Sequence, residues 1–218
     1  MLGAVIGGLA AAGSMIMSYA GTIGTALASS ASTLLSMAGK NLGPISNIVA
    51  SLAQILGVFQ AKDHPEDLGR RATVSTQKPE DFESTEQYIE HLRNDIKLDV
   101  EAMKKETDID RTAYTAIGAG IAIKGLSESK GFDIPVEALV TFAKLGMETK
   151  EKEINALLDS FQGDISKVSE YAEGKLGAQE EVAVGDRLAD HFKEEYPTMS
   201  EADIEKKVMA LEISGGKQ

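Results

Sequence analysis

Residues 1–24 read MLGAVIGGLAAAGSMIMSYAGTIG, and the chain shows no charged residue before Lys40 and no second one before Lys62. The 218-residue chain carries 22 Lys and Arg against 34 Asp and Glu, a net −12, yet residues 1–61 carry only +1 and residues 62–218 carry −13. That asymmetry divides the chain into an apolar, small-residue start and an acidic body. Ala and Gly are poor strand formers, and no strict alternation of polar and apolar residues runs through the start. It therefore reads as helices, at about residues 2–19, 22–38 and 44–60. The clearest break is Gly39-Lys40-Asn41-Leu42-Gly43-Pro44, where Gly and Asn suit a helix C-cap and Pro suits the first turn of the next helix. Gly21 and Gly24 make a weaker break.

Outward from this start, residues 61–82 read AKDHPEDLGRRATVSTQKPEDF. Two prolines, many charges and little periodicity make 62–82 a predicted linker or surface loop. The acidic helical domain is predicted over 83–218. Ser84-Thr85-Glu86-Gln87 forms a capping box, and Tyr88, Ile89, Leu92, Ile96, Val100 and Met103 recur at spacings of three and four. One helix to about residue 106 is expected. Asp108 or Asp110 then caps the nearly uncharged TAYTAIGAGIAIKGL. Further helices are expected over IPVEALVTFAKLG after Asp133, from Thr149 to about Phe161, over ISKVSEYAEGK after Asp164, over 178–195, and from Ser200 to about 212. The predicted class is all-α: a helical bundle body preceded by an apolar Gly/Ala/Ser-rich helical hairpin or arm.

The acidic body argues against direct nucleic-acid binding, which needs clustered Lys and Arg against phosphates. It equally disfavours docking on anionic lipid by charge. With no cysteine, disulfides, thiol catalysis and Cys-based zinc sites are excluded. Trp is absent, and only Tyr19 lies in the apolar part, so an aromatic interfacial belt is missing. Met1 is followed directly by Leu2 and Gly3, without the positive n-region of a secretory signal, and the uncharged run is longer than an h-region.

Chemistry-bearing patterns are scarce. His64, His91 and His191 fall in no metal-ligand spacing. Asp108-x-Asp110 lacks the Gly and distal Glu of a calcium loop and reads as helix capping. No G-x-S-x-G and no G-x-x-x-x-G-K-[ST] occurs. Gly118-Ala119-Gly120 begins no dinucleotide fingerprint and reads as a site of close helix packing. No catalytic residue, cofactor or metal ligand is expected. The enzymatic alternative is a small hydrolase with two carboxylates in one cleft of the 83–212 bundle.

Small residues four apart form a groove that lets a second helix approach closely. Gly3 with Gly7, Ala4 with Gly8 and Ala20 with Gly24 match that spacing, and these six residues are the expected helix-packing or oligomer interface. Gly39 and Gly43 share the spacing but straddle the predicted break. Residues 1–61 read either as the buried core or subunit interface of an assembly, or as helices entering a membrane as an oligomer, or as a low-complexity arm. The scarcity of large apolar side chains makes autonomous insertion weak.

The stretch GAVIGGLAAAGSMIMSYAG, within a small Cys-free chain that ends in a charged helical part, resembles the internal virion or DNA-ejection proteins of short-tailed bacteriophages. The resemblance covers residues 1–60 and is compositional. It implies a non-enzymatic virion component that homo-oligomerises, meets other virion or assembly proteins, contacts a membrane through 1–61 and forms part of a conduit across the host envelope. Its expected location is the virion or assembled particle, then the host envelope after delivery, and otherwise the cytoplasm. The alternative is a soluble adaptor of a tail, portal or secretion assembly, with 1–61 packed against protein only.

Overall fold

The computed structural model describes the backbone of residues 2–147 and 150–215, and the side chains of residues 7–147, 150–162 and 164–211. It is an all-α helical bundle, with no strand among the described residues. The chain divides into two compact units, residues 1–131 and 132–218. The composition change at 61–82 is not where it divides.

The first unit contains α1 (Leu2–Ser18), α2 (Ala20–Ile23), α3 (Thr25–Ala38), α4 (Leu42–Ile55), α5 (Pro65–Val74), α6 (Thr85–Asn94), α7 (Val100–Met103) and α8 (Asp108–Lys130). Helix α8 is the platform. Thr107 caps it: its hydroxyl accepts from the Asp110 amide at 3.3 Å, while the Asp110 carboxylate accepts from the Thr107 amide at 2.6 Å. Asp110 is thus the partner in the cap, and Thr107 holds the cap position predicted for an Asp. From Ala113 to Ala122 almost every residue is buried, on all sides of the helix. A helix that is apolar all round has to be wrapped by others. Helices α1, α3, α4, α5 and α6 all lie against it, and α1 and α3 also pack on each other, so the apolar helices are part of the bundle body.

Residues 62–82 are not a linker. They contain α5 and a 3-10 turn at Pro79–Asp81. Pro65 opens α5, with Glu66 and Asp67 in the first turn where the helix dipole favours acids. Its buried side is built from Leu68, Gly69 and Ala72. A Cβ on Gly69 would stand 1.9 Å from the Tyr114 carbonyl oxygen, and one on Gly118 would stand 1.7 Å from the Pro65 carbonyl oxygen. Helices α5 and α8 therefore meet backbone to backbone. Gly118 serves the close packing read from the sequence, and Gly69 is its unforeseen counterpart.

Arg70, 6 % exposed, locks that crossing. Its guanidinium donates two bonds to Glu106, at 2.7 and 2.8 Å, and one each to Asp67 and Glu66, both at 2.5 Å. It also lies over the Tyr114 ring, 5.3 Å from the centroid. The hydrogen bond to Glu106 is the chief reason its pKa is raised, against the opposing effect of burial.

The single helix expected over residues 85–106 is interrupted after Asn94 and resumes only at Val100. The Arg71 side chain, from α5, donates to the carbonyls of Leu92 at 3.2 Å and of Ile96, ending α6. Asp99 then caps α7, accepting from the Glu101 amide at 2.9 Å. From the last turn of α6, Arg93 holds the buried Asp63 at 2.6 Å, tying down the chain before α5.

The second unit contains α9 (Val136–Lys144), α10 (Glu151–Phe161), α11 (Ile165–Ala172), α12 (Ala178–Glu195) and α13 (Glu201–Gly215). Leu139, Phe142, Ile154, Leu157, Phe161, Leu188, Phe192 and Ile204 are among the side chains of its core. Thr149, the predicted start of α10, lies outside the described residues. Helix α12 has the predicted bounds, and Ser200 opens α13 by accepting from the Asp203 amide at 3.2 Å.

Candidate functional site

Helix α1 rests on the first unit through Ala12 and Ile16, which are fully buried. The opposite side exposes Gly7, Ala10, Ala11, Ser14, Met17 and Ser18, a stripe at spacings of three and four that bears no charge. Its hydroxyls bond back to carbonyls of the helix itself. Ser14 Oγ donates to the Ala10 carbonyl at 3.1 Å, and Ser18 Oγ to the Met15 carbonyl at 2.7 Å. The face therefore presents methyl and methylene groups, backbone edges, and Met17, which is 50 % exposed. Helix α3 extends it with exposed Ala26, Ser29, Ser30, Thr33, Ser36 and Met37. In a chain of net charge −12 this is an unusually neutral surface.

The glycines of this helix differ from those around α8. A Cβ on Gly7, Gly8 or Gly13 would meet nothing within 4 Å among the described residues. A helical Gly costs about 1 kcal/mol relative to Ala. At Gly69 and Gly118 packing within the chain accounts for that cost, and at Gly7, Gly8 and Gly13 it does not.

Of the six residues expected at a packing interface, Gly7 and Gly8 fall on or beside this outer stripe. Gly3 and Ala4 lie in α1, but their surroundings are outside the described residues. Ala20 begins α2 and is half-buried. Gly24 serves a turn instead. It is buried at a φ of +81° between α2 and α3, and its Cβ position would be 2.6 Å from the Glu80 carboxylate. That carboxylate thereby sits near the N-terminal end of α3, where negative charge is favoured and no side chain caps the helix. Gly13, Ser14 and Ser18 were not singled out from the sequence, although Ala10, Ser14 and Ser18 repeat at the same four-residue spacing.

The polar groups elsewhere are mostly tied to one another. Among the described residues no three His, Asp or Glu converge to hold a metal ion. His64 is exposed, and His91 Nδ1 lies 2.9 Å from Asp95. In the second unit the buried Glu153 accepts from the Tyr196 hydroxyl at 2.8 Å and pairs with Lys207 at 3.3 Å. Burial, then that hydrogen bond, pushes the Tyr196 pKa up to about 12. Lys207 also lies over the rings of Phe192 and Tyr196, at 5.0 and 4.8 Å. His191, 3 % exposed, has Nδ1 at 3.1 Å from Ser160 Oγ, while its Nε2 has no hydrogen-bond partner among the described residues; burial lowers its pKa. No helix among the described residues is long and apolar enough to cross a membrane. Comparison with protein-family models, curated proteins and solved structures finds no match to this chain.

Proposed function

We propose that this chain is a non-enzymatic structural component of a larger assembly that self-associates through the outer face of α1. The observation that carries the reading is the set of glycines, Gly7, Gly8 and Gly13, that weaken α1 and whose added Cβ would meet nothing within 4 Å among the described residues. A second α1 laid along them would gain the close helix approach that only side-chain-free positions permit. Charge favours the same face. Copies of net charge −12 repel one another, and a surface whose exposed residues are neutral is where that repulsion is least. The hydroxyls of Ser14 and Ser18, already bonded to backbone carbonyls of their own helix, lower the cost of drying it.

The likeness of residues 1–60 to phage ejection proteins would place this assembly in a virion and then at the host envelope. The alternative is an adaptor whose neutral face meets protein alone. Helix α1 has 17 residues, about 26 Å long, against a hydrocarbon core of about 30 Å. That favours the adaptor, or copies lying side by side at a membrane surface.

Sedimentation of the full chain over a range of concentrations tests self-association. Oligomers are expected, and Ala10→Arg or Ser14→Arg should return the protein to monomers without loss of helix signal. A wild-type chain that stays monomeric throughout would overturn the reading. Dye-loaded vesicles separate the two settings: leakage supports the envelope conduit, and intact vesicles with oligomers support the adaptor.

A further inference from the structure

The second unit has a groove of its own, of about 400 Å³, between α12 and α13. Ala189, Ile204, Val208 and Met209 give it an apolar floor, and Asp186, Glu201 and Glu205 stand along its rim with one base, Lys193, which pairs with Asp190 at 3.6 Å. Met209 is 57 % exposed, and Val182, one turn before Asp186 on α12, is 63 % exposed. The three rim carboxylates have no ion-pair or hydrogen-bond partner among the described residues, in contrast to Glu153, Asp164 and Glu180 of the same unit. The unit holds 19 acidic and 10 basic residues, a net −9.

Gly185 lies on the groove wall. It sits in the middle of an 18-residue helix, where Gly costs about 1 kcal/mol relative to Ala. A Cβ there would meet the Tyr171 hydroxyl at 3.6 Å, an ordinary contact, so packing within the unit does not demand Gly.

We infer that the α12–α13 groove is a docking site for a basic amphipathic helix of another protein, with its apolar stripe on Met209 and Ala189 and its Lys or Arg residues against Asp186, Glu201 and Glu205. An apolar floor between two helices suits helix-in-groove recognition, and three unpaired carboxylates beside one already paired lysine set the charge of what enters. This surface is separate from the neutral face of α1 and does not depend on it.

The test uses the full chain and a fluorescein-labelled amphipathic peptide of Leu and Lys, with a Leu/Glu peptide of the same pattern alongside. The wild-type chain should bind the Leu/Lys peptide and not the Leu/Glu one. Asp186→Lys/Glu205→Lys should weaken binding about tenfold or more, the size expected from losing two charge contacts. Glu83→Lys/Glu90→Lys makes the same change of net charge in the first unit and should weaken it far less. Met209→Asp is the decisive variant. It adds negative charge but removes the apolar floor, so the proposal expects weaker binding, whereas attraction by net charge alone predicts equal or tighter binding and would overturn it. A groove covered by a second copy would overturn it too, and would show as a loss of self-association in Asp186→Lys/Glu205→Lys.

Discussion

At the scale of single residues, glycine has two opposite meanings in this molecule. Gly118→Ala would force a methyl into the α5 backbone, so it should cost at least about 3 kcal/mol, the upper range for overpacking. Gly13→Ala fills open space on an exposed helix face and should stabilise the monomer by about 0.5–1 kcal/mol. Urea unfolding of the two variants checks both signs, and a matched loss would contradict the packing described for α1. The close approach at Gly118 was legible because two small residues interrupt an uncharged helix. Gly69 was not, because it sits among charged neighbours, and only the fold reveals that Tyr114 lies across from it. His191 supplies a pH response. Its folded pKa is lowered by burial, opposed by Glu195 and Glu194 on its own helix and Glu153 on α10, and assisted by Lys207 on α13. The unfolded chain therefore takes up the proton first as pH falls below the ordinary value of about 6.5. Stability is unaffected above that value and declines below it, toward the lowered folded pKa. Denaturation midpoints at pH 7.5 and 5.5 should differ less in His191→Gln than in the parent chain.

At the scale of elements, the helices that were read well are those whose ends are written locally. Helix α12 lies between Gly177 and Pro197, and α13 begins at a Ser whose side chain caps it. Helix α5 was missed because its apolar residues are few and its burial includes an arginine, a combination that makes sense only beside Glu106 and Tyr114. The break after α6 was missed for a related reason. The apolar stripe runs on through Ile96 and Met103, and what stops the helix is Arg71, some twenty residues earlier, taking its last carbonyls. Arg71→Ala should loosen that end. Losing these bonds should speed amide hydrogen exchange across residues 92–98 by about tenfold, equivalent to about 1.4 kcal/mol, while α8 keeps its protection. Uniform acceleration across the first unit would mean that Arg71 holds the unit and not the helix end.

At the scale of the whole molecule, composition and architecture follow different boundaries. The charge step near residue 62 marks where a neutral surface gives way to an acidic one, and it was plain in the sequence. The change of unit at Gly131 was not, because Gly131-Phe132-Asp133 reads like any other gap between helices. The neutral helices and α8, which lies beyond the charge step, belong to one unit, since α8 is the floor on which α1, α3 and α4 rest. Order of synthesis gives that floor a further consequence. Helix α4 ends at Ile55 and α8 at Lys130, so the uncharged helices leave the ribosome before their platform exists. At about 5–20 residues per second the interval is roughly 4–15 s, long enough for bare Leu34, Ile45 and Leu52 to find other chains. A nascent chain stalled before residue 108 should recruit chaperones or aggregate, and one stalled after α8 has emerged should do neither; ribosome profiling of chaperone engagement would time the handover.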